Sequence, residues 1–187
     1  QAGMGGRSSA AASALLALTR LWKLNLPLPT LMQIGLDLGA DVPFFLGGHH
    51  AWVEGIGEKI TPIELPSTRW VIVKPAVGLD TQLIFSDRSL KRDSETATIT
   101  GFAANAFGNV VSYGRNDLQT VAQKLCPEVT QVLNWLEANG LNGRMTGSGS
   151  AVFAQVPHNA DQKFLGSLTA MPSQFQVRLC SSLDAHP

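Results

Sequence analysis

The chain has 187 residues, of which 44% are hydrophobic and 15% charged, so we expect a packed core and exclude general disorder. Its 14 basic and 14 acidic residues give a formal net charge of +0, without the basic excess that binding to nucleic acid or to an anionic membrane usually needs. No apolar stretch is long enough to span a bilayer. Cys126 and Cys180 do not have the spacing of a metal site, so we expect two reduced thiols in a cytoplasmic protein.

The first residues, AGMGGRSS, are rich in glycine and serine and run directly into helix-forming residues. We expect a helix over about residues 8–24, capped by Ser8 or Ser9. Pro27 and Pro29 are expected to end it. A signal peptide is disfavoured because bulky and charged residues, TRLWKLNLP, follow the apolar run.

The next segments predict a helix, a loop and a hairpin. Residues 30–38 form a second helical pattern that Gly39 stops. LGADVPFFLGG, residues 38–48, is expected to be a loop that runs into an apolar strand, and AWVEGIGEKITPI predicts a hairpin that turns at residues 55–57. PIELPST, residues 62–68, has the composition of a linker between domains.

The remaining residues predict a mixture of strands and helices. Strands are expected at residues 70–77, on both sides of a glycine turn within residues 143–156, and at residues 175–183. Helices are expected at residues 81–90, 116–125, 127–140 and 159–171. These elements together predict an α+β fold class, and the sequence contains no internal repeat.

Three segments carry candidate chemistry, and the first is the glycine-rich start. Glycines let the backbone approach an anion, and the first turn of a helix offers N–H groups and a partial positive charge. The candidate phosphate-binding residues are Gly3, Met4, Gly5, Gly6, Arg7, Ser8 and Ser9. A capped helix after a flexible loop is the alternative. The segment is neither a Walker A loop nor a Rossmann fingerprint, because Gly-Lys-Ser/Thr and GxGxxG are absent from the chain.

The second and third segments are LGADVPFFLGG and RMTGSGSAVFA. Asp41 is a lone carboxylate among apolar residues, so it is a candidate base or an electrostatic anchor; the alternative is a local cap before Pro43. Gly147, Ser148 and Gly149 form a second glycine-serine turn between strands, and an ordinary hairpin turn is the alternative.

Taken in this order, the three segments resemble the GHMP kinase superfamily, which carries a Gly-Leu-Gly-Ser-Ser-Ala phosphate loop and a C-terminal Gly-Ser-Gly turn. Within it, the chain is similar to the branch that phosphorylates 4-diphosphocytidyl-2-C-methyl-D-erythritol, with the motifs AGLGGGSS, LLALNxLW, LGADVPFF and GxGExLxP. The counterparts are AGMGGRSS, LLALTRLW, LGADVPFFL, GIGEKITP, a segment with Pro75, Thr81 and Ile84-Phe85, NDLQ from Asn116, and MTGSGSAVFA. The resemblance covers essentially the whole chain; LGADVPFF and GxGExxxP are its most specific parts.

The resemblance implies two α+β domains with an active site between them. Residues 1–66 would be the C-terminal part of an ATP-binding domain like domain 2 of ribosomal protein S5, and residues 67–187 a ferredoxin-like C-terminal domain. The implied reaction moves the γ-phosphoryl of ATP, with Mg²⁺ on the nucleotide, onto the 2-hydroxyl of the diphosphocytidyl-methylerythritol. This step belongs to the methylerythritol phosphate pathway of isoprenoid biosynthesis, and the enzyme would be a cytoplasmic monomer or homodimer.

The resemblance also assigns roles. Residues 3–9 would hold the ATP phosphates, Asp41 would take or orient the hydroxyl proton, and residues 147–149 would close the phosphate side. No metal-ligating set is expected in the protein itself. His49 and His50 are expected to lie in a solvated loop.

Departures from the family pattern leave alternatives open. The family's catalytic lysine would lie upstream of Gln1, so low or no activity is expected of this chain alone. Arg7 replaces a family glycine, and it would be strained, point outward or add a phosphate contact. Ala10 replaces a usual Asp or Asn. A kinase for homoserine or mevalonate, and a non-catalytic nucleotide-binding remnant, are the competing hypotheses.

Overall fold

The computed structural model describes residues 3–105, 110–169, 171 and 173–183. They form two compact units, one of Gly5–Pro66 with Leu183, the other of Ser67–Ser182 with Gly3 and Met4. Helices and antiparallel strands occur in both units, so the predicted α+β class is confirmed. Within the described residues, no helix combines the length and the apolar character needed to cross a lipid bilayer.

The Gly5–Pro66 unit contains three helices followed by a hairpin. Its elements are α1 (Gly6–Leu21), α2 (Leu28–Leu38), α3 (Val42–Gly47), β1 (Ala51–Glu54) and β2 (Lys59–Pro62). The helices pack around a small buried core of Ala12, Leu31, Val42 and Leu46. Strands β1 and β2 pair antiparallel, which confirms the predicted hairpin.

The start of α1 differs from the prediction. Gly5 is the N-cap residue with φ 63°, and Ser8 and Ser9 lie inside the first helical turn, so the predicted serine cap is wrong. A glycine adopts this left-handed conformation without the strain that a serine would suffer. The helix therefore begins at Gly6, directly after the chain has turned.

The end of α1 also differs from the prediction, because the prolines do not cause it. The Leu24 N–H donates to the Thr19 carbonyl at 2.9 Å and the Lys23 N–H donates to the Arg20 carbonyl at 3.1 Å. With Lys23 at φ 53°, these bonds form a Schellman motif, which satisfies the last carbonyls of the helix. Pro27 and Pro29 instead begin α2, where a missing N–H is harmless.

The segment 38–48 was predicted as a loop leading into a strand, and this prediction is wrong. Residues Val42–Gly47 form helix α3, with Pro43 in its first turn and Gly48 at its C-cap with φ 74°. A short apolar run is compatible with a strand or with a buried helix, so its hydrophobicity could not decide. Proline near the start and glycine after the end are the features that favoured a helix.

The Ser67–Ser182 unit is built on one four-stranded antiparallel sheet. Its elements are β3 (Arg69–Pro75), α4 (Thr81–Ser86), α5 (Ile99–Asn105), a 3₁₀ turn (Val110–Ser112), α6 (Leu118–Leu125), α7 (Pro127–Ala138), β4 (Gly143–Met145), β5 (Val152–Val156), α8 (Gln162–Thr169) and β6 (Phe175–Ser181). The strand order is β4-β5-β3-β6, with β3 paired to both β5 and β6. Helices between β3 and β4, a β4-β5 hairpin and a helix before β6 make this the ferredoxin-like arrangement.

The core of this unit lies between the sheet and α7. Val71 and Val73 on the central strand β3 are fully buried, and the residue between them is not. Val129, Val132 and Leu136 are fully buried at helical spacing along α7, which packs on β3, β4 and β5. The alternating strand and the amphipathic helix thus bury complementary apolar faces.

Helices α4 and α5 also depart from the predictions. Helix α4 ends at Ser86, short of residue 90, because the Asp87 carboxylate accepts the Ser89 N–H at 2.7 Å in a turn that competes with the helix. Helix α5 was not predicted. Its cap is Thr98, whose hydroxyl accepts the Gly101 N–H at 3.1 Å.

Replacing Leu136 by alanine should destabilise the protein by about 2–5 kcal/mol, since a fully buried side chain is removed and a cavity is left beside Gly143. Urea unfolding followed by tryptophan fluorescence measures the change. The matched control is Leu125→Ala on α6, where the side chain is 45% exposed and the expected loss is less than about 1 kcal/mol. Equal losses in the two variants would contradict the assigned core.

Candidate active site

The start of α1 presents unpaired helix N–H groups. The first intrahelical bond runs from the Ser9 N–H to the Gly5 carbonyl at 2.9 Å, so the preceding N–H groups have no partner in the helix. Among the described residues, no side chain caps this start, and its first turn contains no acidic residue. The helix dipole adds a partial positive charge. Such a helix start can bind an anion of the size of a phosphate group.

Arg7 lies in the first turn of α1 and is exposed. Its backbone is helical, since Lys23 is the one non-glycine residue with positive φ in the described part of the chain. Of the three alternatives for Arg7, backbone strain is therefore excluded. The outward orientation and the additional phosphate contact both remain compatible with its position.

Asp41 is the N-cap residue of α3, and it is exposed. The alternative hypothesis assigned its carboxylate to a local cap before Pro43. Within the described residues, that carboxylate makes no cap hydrogen bond, and the turn is closed instead by the Val42 N–H donating to the Gly39 carbonyl at 3.0 Å. The Asp41 carboxylate is thus placed at a helix start without serving the helix.

Helices α1 and α3 pack together at the glycine-rich end of the unit. A Cβ on Gly5 would lie 2.9 Å from two ring carbons of Phe45, so the ring packs directly on the Gly5 backbone. Phe45 follows Asp41 by four residues, which is about 6 Å along a helix. The start of α1 and the carboxylate of Asp41 therefore belong to neighbouring parts of the same unit.

The turn of the β1-β2 hairpin contacts the backbone just before Asp41. Gly57 has φ 122°, and a Cβ on it would lie 2.1 Å from the Ala40 carbonyl oxygen. No side chain fits at this contact. The GIGE motif consequently supports the LGAD motif, a relation that their separation in sequence did not reveal.

Glu58 stabilises this hairpin turn. Its carboxylate accepts the Ile56 N–H at 2.7 Å and lies where a Cβ on Gly55 would be. Hydrogen bonds from the backbone N–H groups of Glu58 and Ile56 lower the pKa of the Glu58 carboxyl below its ordinary value of 4.5. The motif glutamate thus has a structural task within its own turn.

The second glycine turn packs on the first candidate residue of the loop. The Thr146 hydroxyl donates to the Gly3 carbonyl at 2.8 Å. A Cβ on Gly3, which has φ 66°, would lie 2.1 Å from the Thr146 carbonyl oxygen and 2.9 Å from the Gly149 nitrogen. Gly3 and the Gly147–Gly149 turn are therefore in backbone contact.

Side chains outside the predicted set also hold this turn. The Ser148 and Thr81 hydroxyls share a hydrogen bond of 2.9 Å, and the Ser150 hydroxyl donates to the Val77 carbonyl at 2.5 Å. The Asn116 amide donates to two carbonyls at the start of the turn. Thr81 and Asn116 both belong to the motifs that carry the family resemblance. Their place in those motifs is the feature of the sequence that could have identified them.

The predicted loop residues divide between the two units. Gly3 and Met4 belong to the Ser67–Ser182 unit, and the five following residues belong to the Gly5–Pro66 unit. The first group is brought to the Gly147–Gly149 turn and the second to α3, the helix of Asp41.

No metal centre is evident in the described part of the chain, where no three residues of the types His, Cys, Asp and Glu lie close enough to hold an ion. His49 is exposed. His50 departs from the predicted solvated loop, since its Nε2 atom is buried and has no hydrogen-bond partner among the described residues.

Two family descriptions match the chain. Residues 1–49 match the GHMP kinases N terminal domain, and residues 99–171 match GHMP kinases C terminal. The chain belongs to the GHMP kinase family. The resemblance that the glycine turns and LGADVPFF indicated is therefore confirmed.

Similar proteins within the family include 4-diphosphocytidyl-2-C-methyl-D-erythritol kinase of Albidiferax ferrireducens, which is 67% identical over 100% of this chain and 62% of that protein. This chain spans about three fifths of the length of the curated relatives it matches. A crystal structure of 4-(cytidine 5'-diphospho)-2C-methyl-D-erythritol kinase has a TM-score of 0.76 and 30% identity, covering 96% of this chain and 66% of that one. A homoserine kinase from Cytophaga hutchinsonii, with a TM-score of 0.69 over 99% of this chain and 67% of its own, is 15% identical and shows the fold alone.

Gly57→Ala should destabilise the protein by more than about 2 kcal/mol, because the new Cβ would collide with the Ala40 carbonyl at a backbone conformation that suits glycine. The control is Gly48→Ala, which has φ 74° but no atom of the described residues within 4 Å of its Cβ, so strain alone should cost about 1–2 kcal/mol. Urea unfolding measures both. An equal loss in the two variants would disprove the contact between the hairpin and the Ala40 backbone.

Glu58→Gln should reduce the dependence of stability on acid pH. Because the pKa of Glu58 is lowered in the folded protein, the unfolded chain takes up the proton first as the pH falls, and stability decreases below about pH 4.5. The glutamine variant loses this contribution, so its free energy of unfolding should fall less between pH 6 and pH 3. Glu54→Gln, on β1, should behave like the wild type. A wild-type pH profile in the Glu58 variant would contradict the assignment.

Proposed function

We propose that the full-length protein is an ATP-dependent kinase that phosphorylates the 2-hydroxyl of 4-diphosphocytidyl-2-C-methyl-D-erythritol. The observation that carries the proposal is the Asp41 carboxylate, which is exposed at the start of α3 and makes no cap hydrogen bond among the described residues. It lies in the same unit as the uncapped start of α1. A relative named 4-diphosphocytidyl-2-C-methyl-D-erythritol kinase, which is 67% identical over 100% of this chain, supports the choice of substrate.

In this proposal, the start of α1 holds phosphate oxygens. The backbone N–H groups of Gly5, Gly6 and Arg7 supply donors, and the hydroxyls of Ser8 and Ser9 lie within the same first helical turn. The positive φ of Gly5 turns the chain so that these donors stand at the tip of the helix. The exposed guanidinium of Arg7 adds positive charge at the same end.

The Gly147–Gly149 turn contributes to the phosphate side through its contact with Gly3. Gly3 and the Gly147–Gly149 turn carry no bulky side chains, so a phosphate can approach their backbone N–H groups closely. Thr146 ties the two stretches together through its bond to Gly3. A site of this kind stabilises phosphoryl transfer mainly by positioning and by charge.

Asp41 acts on the hydroxyl that receives the phosphoryl group. A carboxylate within hydrogen-bond reach of an alcohol orients it and takes up its proton as the new bond forms. Gly57 and the hairpin support the backbone before Asp41, which limits the movement of the carboxylate.

ATP supplies the γ-phosphoryl group, and Mg²⁺ on its phosphates neutralises part of their charge. Mg²⁺ usually keeps several waters and binds together with substrate phosphates, so a dedicated set of protein ligands is not required. The start of α1 fits a polyphosphate, since among the described residues no side chain caps it and no acidic residue stands in its first turn to repel the phosphates.

We place this reaction in the cytoplasm, within the methylerythritol phosphate pathway of isoprenoid biosynthesis. The free thiols of Cys126 and Cys180 support a reducing compartment. The monomeric or homodimeric state stays a prediction.

Asp41→Asn should lower kcat by about 10²–10⁴-fold, because an amide cannot take up the proton of the substrate hydroxyl. ADP release with Mg-ATP and 4-diphosphocytidyl-2-C-methyl-D-erythritol measures the loss in the full-length gene product. The affinity for Mg-ATP should change little, since the phosphates are held by backbone donors.

Asp37→Asn is the matched control, since Asp37 is an exposed carboxylate on α2 four residues earlier and the same charge is removed. It should keep wild-type turnover. Turnover by the Asp41 variant at the wild-type rate would disprove the catalytic assignment. Wild-type protein that binds ATP but accepts homoserine or mevalonate instead would refute the proposed substrate, and one that binds ATP without any turnover would favour the non-catalytic hypothesis.

A further inference from the structure

The side chain of Asn116, which precedes α6, spans the start of the second glycine turn. Its Nδ2 donates to the Met145 carbonyl at 2.9 Å and to the Gly147 carbonyl at 2.8 Å, and its Oδ1 accepts the Leu118 N–H at 3.0 Å. Two carbonyl acceptors and one N–H donor define which end of the amide is nitrogen. Asn116 is therefore a helix cap and a brace for the turn at once.

The bond to Gly147 determines the orientation of a peptide group. In a trans peptide, the carbonyl of one residue and the N–H of the next point in opposite directions within one plane. While the Gly147 carbonyl is held towards Asn116, the Ser148 N–H is directed away from it. Asn116 consequently sets the direction of a backbone donor in the turn, whereas a glycine such as Gly147 would otherwise rotate freely.

Other side chains already attach α6 and the segment before it to β4. Arg144 on β4 donates to the carbonyls of Tyr113 and Gly114, each at 2.8 Å, just before Asn116. Gln119 in α6 accepts the Met145 N–H at 2.8 Å, just after it. The attachment of the helix to the strand is thus secured on both sides, and the bond to Gly147 reaches past the strand into the turn.

We infer that Asn116 is a positioning residue that orients the Gly147–Gly149 turn for the phosphates of ATP. The inference rests on the proposed function, in which this turn forms part of the phosphate side. Asn116 itself contacts backbone carbonyls of the turn and not the reacting atoms. Its removal should therefore misdirect the turn while leaving the fold intact.

Two substitutions separate bracing from capping. In Asn116→Ser, the short side chain can still accept the Leu118 N–H but cannot reach the two carbonyls. In Asn116→Asp, the isosteric carboxylate keeps the cap but sets an oxygen against the Met145 and Gly147 carbonyls, which repels them. Both variants should keep a thermal unfolding temperature within about 3 °C of the wild type.

The expected result is a loss at the nucleotide side. By calorimetric titration, the Kd for Mg-ATP should rise about tenfold or more in both variants, and kcat should fall by about 10–100-fold. The KM for 4-diphosphocytidyl-2-C-methyl-D-erythritol should stay within about threefold of the wild type, because Asn116 acts on the phosphate side. A purely structural defect would instead weaken the binding of both substrates. The control is Asp117→Asn, which removes the adjacent surface ion pair with Arg115 and should change none of these values.

Wild-type Kd and kcat in both Asn116 variants would overturn the inference, and so would unfolding of both variants, which would make the role structural. If the wild type binds Mg-ATP but does not phosphorylate this substrate, the proposed substrate fails, and the ATP affinities of the variants still decide the role of Asn116. If the wild type does not bind Mg-ATP, the kinase assignment and the inference both fail.

Discussion

At two places in this chain, one loop packs its backbone directly on the backbone of another, with no room for a side chain. Gly3 meets Thr146 and Gly149 in one unit, and Gly57 meets Ala40 in the other. Each contact excludes even a methyl group, so it confines the loop beside it more tightly than side-chain packing would. The loops confined in this way carry the residues to which we assign phosphate binding and proton transfer.

The regular parts of the fold were predictable because their patterns are local. Alternating burial on β3, the helical spacing on α7 and the glycines of the β1-β2 hairpin are each contained within one element. The errors arose where a short pattern allowed two structures. Val42–Gly47 is an apolar run that suits a strand as well as a helix. Ser8 is a residue type that often caps helices, but the chain turns earlier, at Gly5, and the helix begins directly after it.

The candidate residues were predictable as motifs, but their supports were not. Asp41 and the glycine turns stand out because their residue types suit phosphate chemistry. The contacts of Gly57 with Ala40, of Thr146 with Gly3 and of Asn116 with Gly147 join positions that are distant in sequence. Distances of this kind depend on tertiary packing, to which no local pattern is sensitive.

The central claim is the transfer of a phosphoryl group to the 2-hydroxyl, and ³¹P NMR of the product tests it most directly. The carbon that bears this hydroxyl also bears the methyl group and has no hydrogen. We therefore predict that the full-length protein, given Mg-ATP and 4-diphosphocytidyl-2-C-methyl-D-erythritol, forms one new phosphomonoester whose signal stays a singlet without proton decoupling. A signal split by neighbouring protons, or ATP consumption without a new ester, would contradict the account.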